Sequence, residues 1–369
     1  MTAADNSIEK LIRPDIWGLE PYAAVDPPEV LARRCGLAPE QVLKLDANEN
    51  PYGCSPAVHR ALAKYAGYHI YPDPLCSETR NLLAGYVGVD AERILVGNGS
   101  DEIIDLVMRL FLREGEGIVI CPPTFGYYAS SVASCAGKVQ SVPRDAAFEV
   151  DAEAVLEEIR EGAKLFVVAS PNNPTGNILD TTALCRVLET GIPVLVDEAY
   201  GEFAGQSALP LTREYENLIV ARTFSKWAGL AGLRVGYGIF PKVLVPHLLK
   251  IKPPYNVNNA AQAAVKASLT DIEFLLERVK LIVAERDRLM EGLRRLGFLH
   301  PYPSQGNFVL CRLVRGDLRD LRARLEKKGI FFRYYGDPAL KNCFRISAGT
   351  YEQTNRVLEE LAQIGESLA

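Results

Sequence analysis

Residues 164–176, KLFVVASPNNPTG, join a continuous apolar run to a loop of prolines, asparagines and a glycine. The run is apolar at successive positions instead of alternating, which is typical of a strand buried on both faces of a sheet. The combination recurs in 193–200, PVLVDEAY, and 218–226, LIVARTFSK. Because each buried strand ends at polar residues, we expect these side chains to meet at one edge of a parallel sheet, where α/β proteins bind ligands.

Apolar runs of this kind alternate with amphipathic helical segments from residue 90 onward. The runs that predict strands are Arg93–Gly97, Gly117–Cys121, Lys164–Ser170, Pro193–Asp197, Leu218–Ala221 and Gly236–Phe240. Helical periodicity in Asp101–Leu112 and Asp151–Arg160 predicts helices that cover the faces of the sheet. We therefore expect an α/β fold with a mostly parallel central sheet flanked by helices.

A different pattern begins near Pro253 and Pro254 and predicts a smaller α+β domain. It comprises a long helical stretch over 259–293 with a break near Thr270, strands at 307–313, 329–333 and 343–347, and helices at 318–328 and from Tyr351. Prolines in the first 45 residues predict an extended arm with a short helix at 28–35. The predicted division is an N-terminal arm at 1–45, a large domain at 46–258, a connecting helix region at 259–284 and a small C-terminal domain at 285–369.

Composition excludes several classes of function. Lys plus Arg total 41 against 46 for Asp plus Glu, so the chain lacks the cationic excess of nucleic-acid-binding proteins. Its eight cysteines form no C-x-x-C pair and its four histidines are widely spaced, which predicts reduced thiols and no metal site. The N-terminus has no targeting pattern and no apolar run is long enough to span a bilayer, so we expect a cytoplasmic protein without membrane contacts.

The segment 97–102, GNGSDE, lies between a predicted strand and a predicted helix. Glycines and small polar residues at a helix start leave backbone N–H groups pointing outward, and the helix dipole favours an anion such as phosphate there. Helix capping by Ser100 or Asp101 explains the same residues without a ligand. Both interpretations stay open on this segment alone.

Asp197 and Lys226 are the other two residues with distinctive surroundings. A carboxylate at the end of a buried strand needs a cationic partner, either a protonated heterocyclic nitrogen or a structural ion pair. A lysine near a second cation, here Arg234, loses its proton more easily and can form a Schiff base with an aldehyde, although most lysines are simply solvated. Asn172 and Asn173 offer amide donors at the same sheet edge, or cap a rigid turn.

Taken together, the loop 97–102, S-P-N-N-P-T-G, D-E-A-Y and S-K followed by Arg234 resemble the pyridoxal-phosphate aminotransferases of fold type I along nearly the whole chain. The resemblance implies pyridoxal 5′-phosphate as cofactor, bound to Lys226 as a Schiff base, with Lys226 also carrying the catalytic proton. It implies that Asp197 pairs with the pyridine nitrogen, that Asn173 and Tyr200 contact the phenolic oxygen, and that Phe125 stacks on the ring. The cofactor phosphate would contact Gly99, Ser100, Asp101, Thr223, Ser225 and Arg234. Tyr71 would reach that phosphate from the other subunit of a homodimer.

A narrower resemblance concerns the branch of this family that acts on histidinol phosphate. It is carried by LDANENPYG at 45–53, YPD at 71–73, PPYNVN at 253–258 and FRISAGT at 344–350. It implies transamination between histidinol phosphate and 2-oxoglutarate in histidine biosynthesis, giving imidazole acetol phosphate and glutamate. Substrate contacts would come from Arg345, Arg333, Tyr22 and Asn173. The resemblance assigns no role to Asn48 or Glu49.

Other activities are compatible with the same cofactor site. An O-phosphothreonine decarboxylase shares the cofactor site and an anionic substrate, and the sequence barely reports which bond at Cα is broken. An aromatic amino-acid aminotransferase is a further alternative. A regulator that senses the cofactor is the alternative outside catalysis. Such a regulator needs a basic helix-turn-helix arm, and residues 1–45 contain no such pattern.

Overall fold

The computed structural model describes residues 8–19 and 24–366. Its strands are β1 (Leu43–Lys44), β2 (Ile94–Gly97), β3 (Gly117–Ile120), β4 (Lys138–Ser141), β5 (Leu165–Ala169), β6 (Val194–Asp197), β7 (Leu218–Thr223), β8 (Gly236–Ile239), β9 (Leu299–Pro301), β10 (Phe308–Leu313), β11 (Ile330–Phe331), β12 (Arg333–Tyr334) and β13 (Cys343–Ser347). Its α-helices are α1 (Pro14–Trp17), α2 (Pro28–Cys35), α3 (Pro56–Lys64), α4 (Ser77–Val87), α5 (Ser100–Phe111), α6 (Tyr127–Ser134), α7 (Ala152–Arg160), α8 (Thr181–Leu188), α9 (Gly201–Ala204), α10 (Val245–Ile251), α11 (Asn259–Thr270), α12 (Ile272–Arg295), α13 (Leu318–Lys327) and α14 (Tyr351–Glu366).

The central sheet has seven strands in the order β2-β8-β7-β6-β5-β3-β4. Only β8 runs antiparallel to its neighbours, so the predicted α/β fold with a mostly parallel sheet is confirmed. Successive residues of the buried strands β5 and β6 enter different hydrophobic cores: Val168 and Val196 lie in one, whereas Val167 and Leu195 lie in the other. Burial on both faces is the physical reason for the continuous apolar runs.

One strand of this sheet was not predicted from the sequence. Strand β4 pairs only with β3, at the edge of the sheet, and its residues are mostly exposed. Because an edge strand with a solvated face needs no apolar run, β4 lacks the signal that identified the buried strands.

A four-stranded antiparallel sheet, β12-β13-β10-β9, lies in the C-terminal part of the chain. The prediction of one strand over 329–333 was wrong, because the segment forms two short strands in different sheets. Strand β11 pairs in parallel with β1, and β12 pairs with β13. The β1–β11 pairing joins the residues just before the predicted large domain to the C-terminal part of the chain, and Leu43 and Leu45 pack in the hydrophobic core there.

Two helices, α11 and α12, occupy the predicted helical stretch and are separated at Asp271. Asn258 caps α11 by accepting a hydrogen bond from the Ala261 N–H at 2.8 Å. Helix α12 continues through the predicted limit between residues 284 and 285, and the division into domains stays a prediction.

No α-helix in residues 8–19 and 24–366 is long and apolar enough to cross a membrane. All eight cysteines are free thiols.

Candidate active site

A cavity opens where β5, β6 and β7 end, with about 590 Å³ of empty space when its solvent-filled mouth is included. These strands are parallel, so their carboxyl ends bring residues distant in sequence to one place. The cavity is lined by Ser100, Asp101, Phe125, Tyr128, Ala169, Asn173, Asp197, Ala199, Tyr200, Thr223, Ser225, Lys226, Ala231 and Arg234. The site residues predicted for the cofactor therefore lie together here, apart from Gly99, which adjoins the cavity, and Tyr71.

Lys226 follows β7 and points into the cavity. Its Nζ donates a hydrogen bond to the Ala47 carbonyl oxygen at 2.9 Å. Burial, assisted by the positive charge of Arg345, lowers the pKa of Lys226 to about 8. The amine is therefore far easier to deprotonate than an ordinary lysine, as a nucleophile or base requires.

Asp197 ends β6 with its side chain buried at the base of the cavity. Its carboxylate accepts hydrogen bonds from the Tyr128 hydroxyl at 2.7 Å and from the Ala199 N–H at 3.0 Å. Burial raises the pKa of Asp197 to about 6, against the lowering effect of these two hydrogen bonds. Among the described residues Asp197 forms no ion pair, which suits a carboxylate that receives a cation from a ligand.

The sequence left open whether Asp197 forms a structural ion pair. The residue that forms such a pair is the next one, Glu198. Glu198 accepts hydrogen bonds from Arg222 Nε at 3.0 Å and Nη2 at 2.7 Å. Both side chains are almost fully buried. The ion pair therefore connects the ends of β6 and β7 behind the cavity.

The N-terminus of α5 forms another part of the cavity wall. Gly99 precedes this helix with φ +82°, and a Cβ at Gly99 would lie 2.7 Å from Arg234 Nη2. Glycine thus allows Arg234 to approach the helix start, where it pairs with Asp101 at 2.8 Å. Thr223 and Ser225 lie nearby, with their hydroxyls 3.0 Å apart. Backbone N–H groups, two hydroxyls and a guanidinium together suit a phosphate group.

The two asparagines of the loop after β5 have different surroundings. Asn172 is fully buried and binds the Pro123 carbonyl and the hydroxyls of Thr124 and Thr175, so it holds the loop in shape. Asn173 lines the cavity, and its Oδ1 accepts a hydrogen bond from Arg345. Asn172 therefore stabilises the turn, as one of the two interpretations of the sequence predicted, whereas Asn173 is available to a ligand.

The two aromatic residues predicted to contact the cofactor line the same cavity as Lys226 and Asp197. Phe125 lines the cavity and makes an edge contact with Tyr128, with ring centroids 5.5 Å apart. Tyr200 is buried, and burial raises its pKa to about 12. The Tyr200 phenol is therefore protonated at neutral pH and can donate a hydrogen bond.

A wider cavity of about 1390 Å³ continues outward from Lys226 to the C-terminal sheet. Arg333 and Arg345 both line it and are directly opposite each other on β12 and β13. Like charges at opposite positions of neighbouring strands repel, so an anion between them would be stabilising. Arg345 is also held by the Asp46 carbonyl oxygen at 2.6 Å.

Two predicted site residues are not brought into the cavity by the described structure. Tyr71 is 78% exposed and stacks on Tyr255, with ring centroids 4.6 Å apart. Tyr22 lies outside the described residues, although Ala24 and Val25 line the wider cavity. In the part of the chain that the structure describes, no group of three or more His, Cys, Asp or Glu residues could hold a metal ion.

Sequence reasoning missed two residues that act on predicted ones. Tyr128 binds Asp197, and Asn48 donates from Nδ2 to the Tyr200 hydroxyl at 2.9 Å. Tyr128 follows Phe125 by three residues, a spacing that places both on one side of a helical turn. Asn48 has no comparable local signal, since 152 residues separate it from Tyr200.

Known proteins similar to this chain share this organisation over almost its full length. Histidinol-phosphate aminotransferase of Roseiflexus castenholzii is 48% identical over 367 residues, covering 97% of this chain and 99% of that protein. The enzyme of the same name from Dehalococcoides mccartyi is 44% identical over 360 residues, covering 98% and 99%. The crystal structure of histidinol-phosphate aminotransferase from Sinorhizobium meliloti in complex with pyridoxal-5′-phosphate superimposes with a TM-score of 0.86 at 30% identity, covering 97% of this chain and 98% of that one.

The match to a whole family agrees with these individual similarities. Residues 40–361 match the family described as aminotransferase class I and II. That range contains the candidate catalytic residues Lys226 and Asp197. It also contains Arg333 and Arg345, the two arginines of the C-terminal sheet that line the wider cavity. The chain therefore belongs to the class I and II aminotransferases.

Proposed function

We propose that this protein is a pyridoxal-phosphate-dependent histidinol-phosphate aminotransferase, which transfers the amino group of histidinol phosphate to 2-oxoglutarate. The observation that carries the choice of substrate is the pair Arg333 and Arg345, opposed on neighbouring strands at the wall of the cavity that also contains Lys226. Two guanidinium groups facing one space suit substrates with a phosphate or carboxylate end.

The residues of the inner cavity fit pyridoxal phosphate in their chemistry. The α5 N-terminus, Thr223, Ser225 and Arg234 would hold the phosphate, and Gly99 at φ +82° lets Arg234 lie close to that helix start. Phe125 would cover one ring face. The Tyr200 hydroxyl and the Asn173 amide would hydrogen-bond the phenolic oxygen.

The chemistry would divide between the cofactor and two residues of the chain. Bound pyridoxal phosphate supplies an aldehyde that condenses with amines and a ring that withdraws electrons from the adjacent carbon. Asp197, buried without a cationic partner among the described residues, would hold a proton on the ring nitrogen. Lys226 Nζ, with its lowered pKa, would remove the proton from Cα of the amino donor.

A second subunit is part of the proposal. Tyr71 lies outside its own cavity and beside other exposed apolar side chains, including Tyr68 and Ile70. We infer a homodimer in which Tyr71 of one subunit reaches the cofactor phosphate of the other.

A substrate panel with 2-oxoglutarate as acceptor tests the proposal. We expect glutamate from histidinol phosphate, with much lower rates for histidinol, phenylalanine, tyrosine and O-phosphothreonine. Lys226→Ala should abolish glutamate formation, whereas Lys242→Ala, at an exposed ion pair, should leave it intact. Faster turnover of phenylalanine or tyrosine would favour an aromatic aminotransferase. Release of carbon dioxide from O-phosphothreonine without glutamate would favour a decarboxylase.

A further inference from the structure

Asn48 lies in the segment between β1 and α3 and is 1% exposed. Its backbone has φ +54°, a left-handed conformation that asparagine tolerates better than most residues. A buried polar residue in this conformation needs compensating interactions to persist. The hydrogen bonds of Asn48 are therefore the evidence for its role.

Every polar group of Asn48 has a partner, and the partners come from three parts of the chain. The backbone N–H donates to Ser347 Oγ at 2.9 Å, and Oδ1 lies 3.1 Å from the same oxygen. The backbone carbonyl accepts from Asn307 Nδ2 at 3.0 Å. The side-chain Nδ2 donates to the Tyr200 hydroxyl at 2.9 Å. Asn48 thus joins the C-terminal sheet to the end of the central sheet.

The direction of the last hydrogen bond determines where the Tyr200 proton goes. An amide Nδ2 only donates, so the Tyr200 oxygen accepts and its own O–H is left to point elsewhere. Because Tyr200 and Lys226 both line the inner cavity, the O–H can turn toward a ligand bound there.

The residues before Asn48 contact the other side chains of the site. The Asp46 carbonyl accepts from Arg345, and the Ala47 carbonyl accepts from Lys226. Ser347 lies two residues after Arg345 on β13, so their side chains share one face of that strand. The segment that contains Asn48 therefore contacts both Arg345, the proposed substrate arginine, and Tyr200.

We propose that Asn48 is a positioning residue that fixes the Tyr200 hydroxyl as a hydrogen-bond donor to the cofactor's phenolic oxygen and ties it to the strand that bears Arg345. This inference rests on the proposed function, because it assumes that pyridoxal phosphate occupies the inner cavity. It concerns the orientation of a proton and requires no contact between Asn48 and substrate.

The test measures the pH at which the visible absorbance of the pyridoxal-phosphate-loaded protein titrates, without substrate. A donor to the phenolic oxygen favours the deprotonated form, so Asn48→Ala should raise the midpoint by about one pH unit, tenfold in the equilibrium. Asn48→Asp, of the same size, should raise it further, because its carboxylate would accept the Tyr200 proton. Ser347→Ala should give a smaller shift in the same direction.

A double-mutant comparison separates positioning from general structural damage. In a Tyr200→Phe background, Asn48→Ala should cause no further shift, since the hydroxyl on which it acts is gone. Asn217→Ala is the matched control: the Asn217 amide donates to the Leu188 and Ile192 carbonyls away from the cavity, so its loss should lower the melting temperature of the cofactor-free protein without moving the midpoint.

Each outcome bears on one of the two proposals. The role of Asn48 would be overturned if Asn48→Ala shifts the midpoint equally with Tyr200 intact and in the Tyr200→Phe background. It would also be overturned if neither Asn48→Ala nor Asn48→Asp shifts the midpoint. Both results would leave the proposed function standing. A wild-type protein that gains no visible absorbance with pyridoxal phosphate would overturn both. If Asn48→Ala does not fold, Asn48→Asp and Ser347→Ala carry the comparison.

Discussion

Asp197 is a single residue whose burial suits the proposed site but lowers the stability of the folded protein. Its carboxylate is 4% exposed and, among the described residues, is compensated by two hydrogen bonds and no cation. Burial raises its pKa from 3.8 to about 6, so the folded protein binds a proton there more tightly than the unfolded chain does. Stability should therefore fall as pH rises from about 4 to about 6 and remain reduced above that.

Asp197→Asn should consequently stabilise the cofactor-free protein at pH 8, by about 2–3 kcal/mol for a shift of two pKa units. The gain should shrink to below about 1 kcal/mol at pH 4, where the carboxyl is protonated in the folded state and only partly ionised in the unfolded chain. Thermal unfolding at both pH values measures it, with Asp90→Asn, at an exposed position, as control. Transamination should be lost at every pH. A variant less stable than the parent at pH 8 would contradict this account of Asp197.

The ion pair between Glu198 and Arg222 connects two elements, strands β6 and β7. Glu198 is also bound by the Ser207 hydroxyl and by the Ala208 N–H at 2.6 Å, so its charge is well compensated. The ion pair directly adjoins Asp197 on one strand and Thr223 on the other. It therefore fixes the spacing of two proposed cofactor contacts.

Arg222→Met should lower the free energy of unfolding by about 3–5 kcal/mol, because it leaves Glu198 buried without its cation. Adding Glu198→Gln should recover part of that loss, because the unpaired Glu198 charge is gone while Glu202, which lies 3.6 Å from Arg222 in the parent, stays buried without its cation. Urea unfolding of the single and double variants measures both effects. Arg186→Met, at an exposed ion pair with Glu153, should cost less than about 1 kcal/mol and serves as control. A double variant as unstable as the single one would contradict the argument.

The exposed aromatic surface around Tyr71 belongs to the scale of the whole molecule. Tyr71 and Tyr255 stack on each other outside the cavity, and Tyr68 and Ile70 are more than half exposed beside them. A surface of this kind is commonly an interface. It agrees with the proposed exchange of Tyr71 between subunits.

Subunit mixing tests that exchange. Tyr71→Ala and Lys226→Ala proteins should each be nearly inactive, but co-refolding equal amounts should restore about a quarter of wild-type activity, because about half the dimers are mixed and each has one intact site. Glutamate formation before and after mixing measures the recovery, and size-exclusion chromatography checks that both variants are dimeric. A mixture without recovered activity would place Tyr71 in its own subunit's site or in none.

Local patterns in the sequence determined much of this protein. The continuous apolar runs predicted the buried strands, and the polar residues that follow β5, β6 and β7 predicted which side chains would meet, because parallel strands place their carboxyl ends at one edge. The break near Thr270 was also visible, and α11 ends there. The roles of individual residues, Tyr22 and the domain limits remain predictions.

Only the tertiary structure decided the contacts that depend on strand register and on how the two sheets meet. The sequence contains Arg333 and Arg345, but the pairing of β12 with β13 makes them direct neighbours. Asn48 meets Ser347 across 299 residues, and no local periodicity encodes such a contact. Hydrophobic patterns specify which face of an element is buried, whereas the hydrogen bonds between distant segments form only when the packed elements bring their polar groups together.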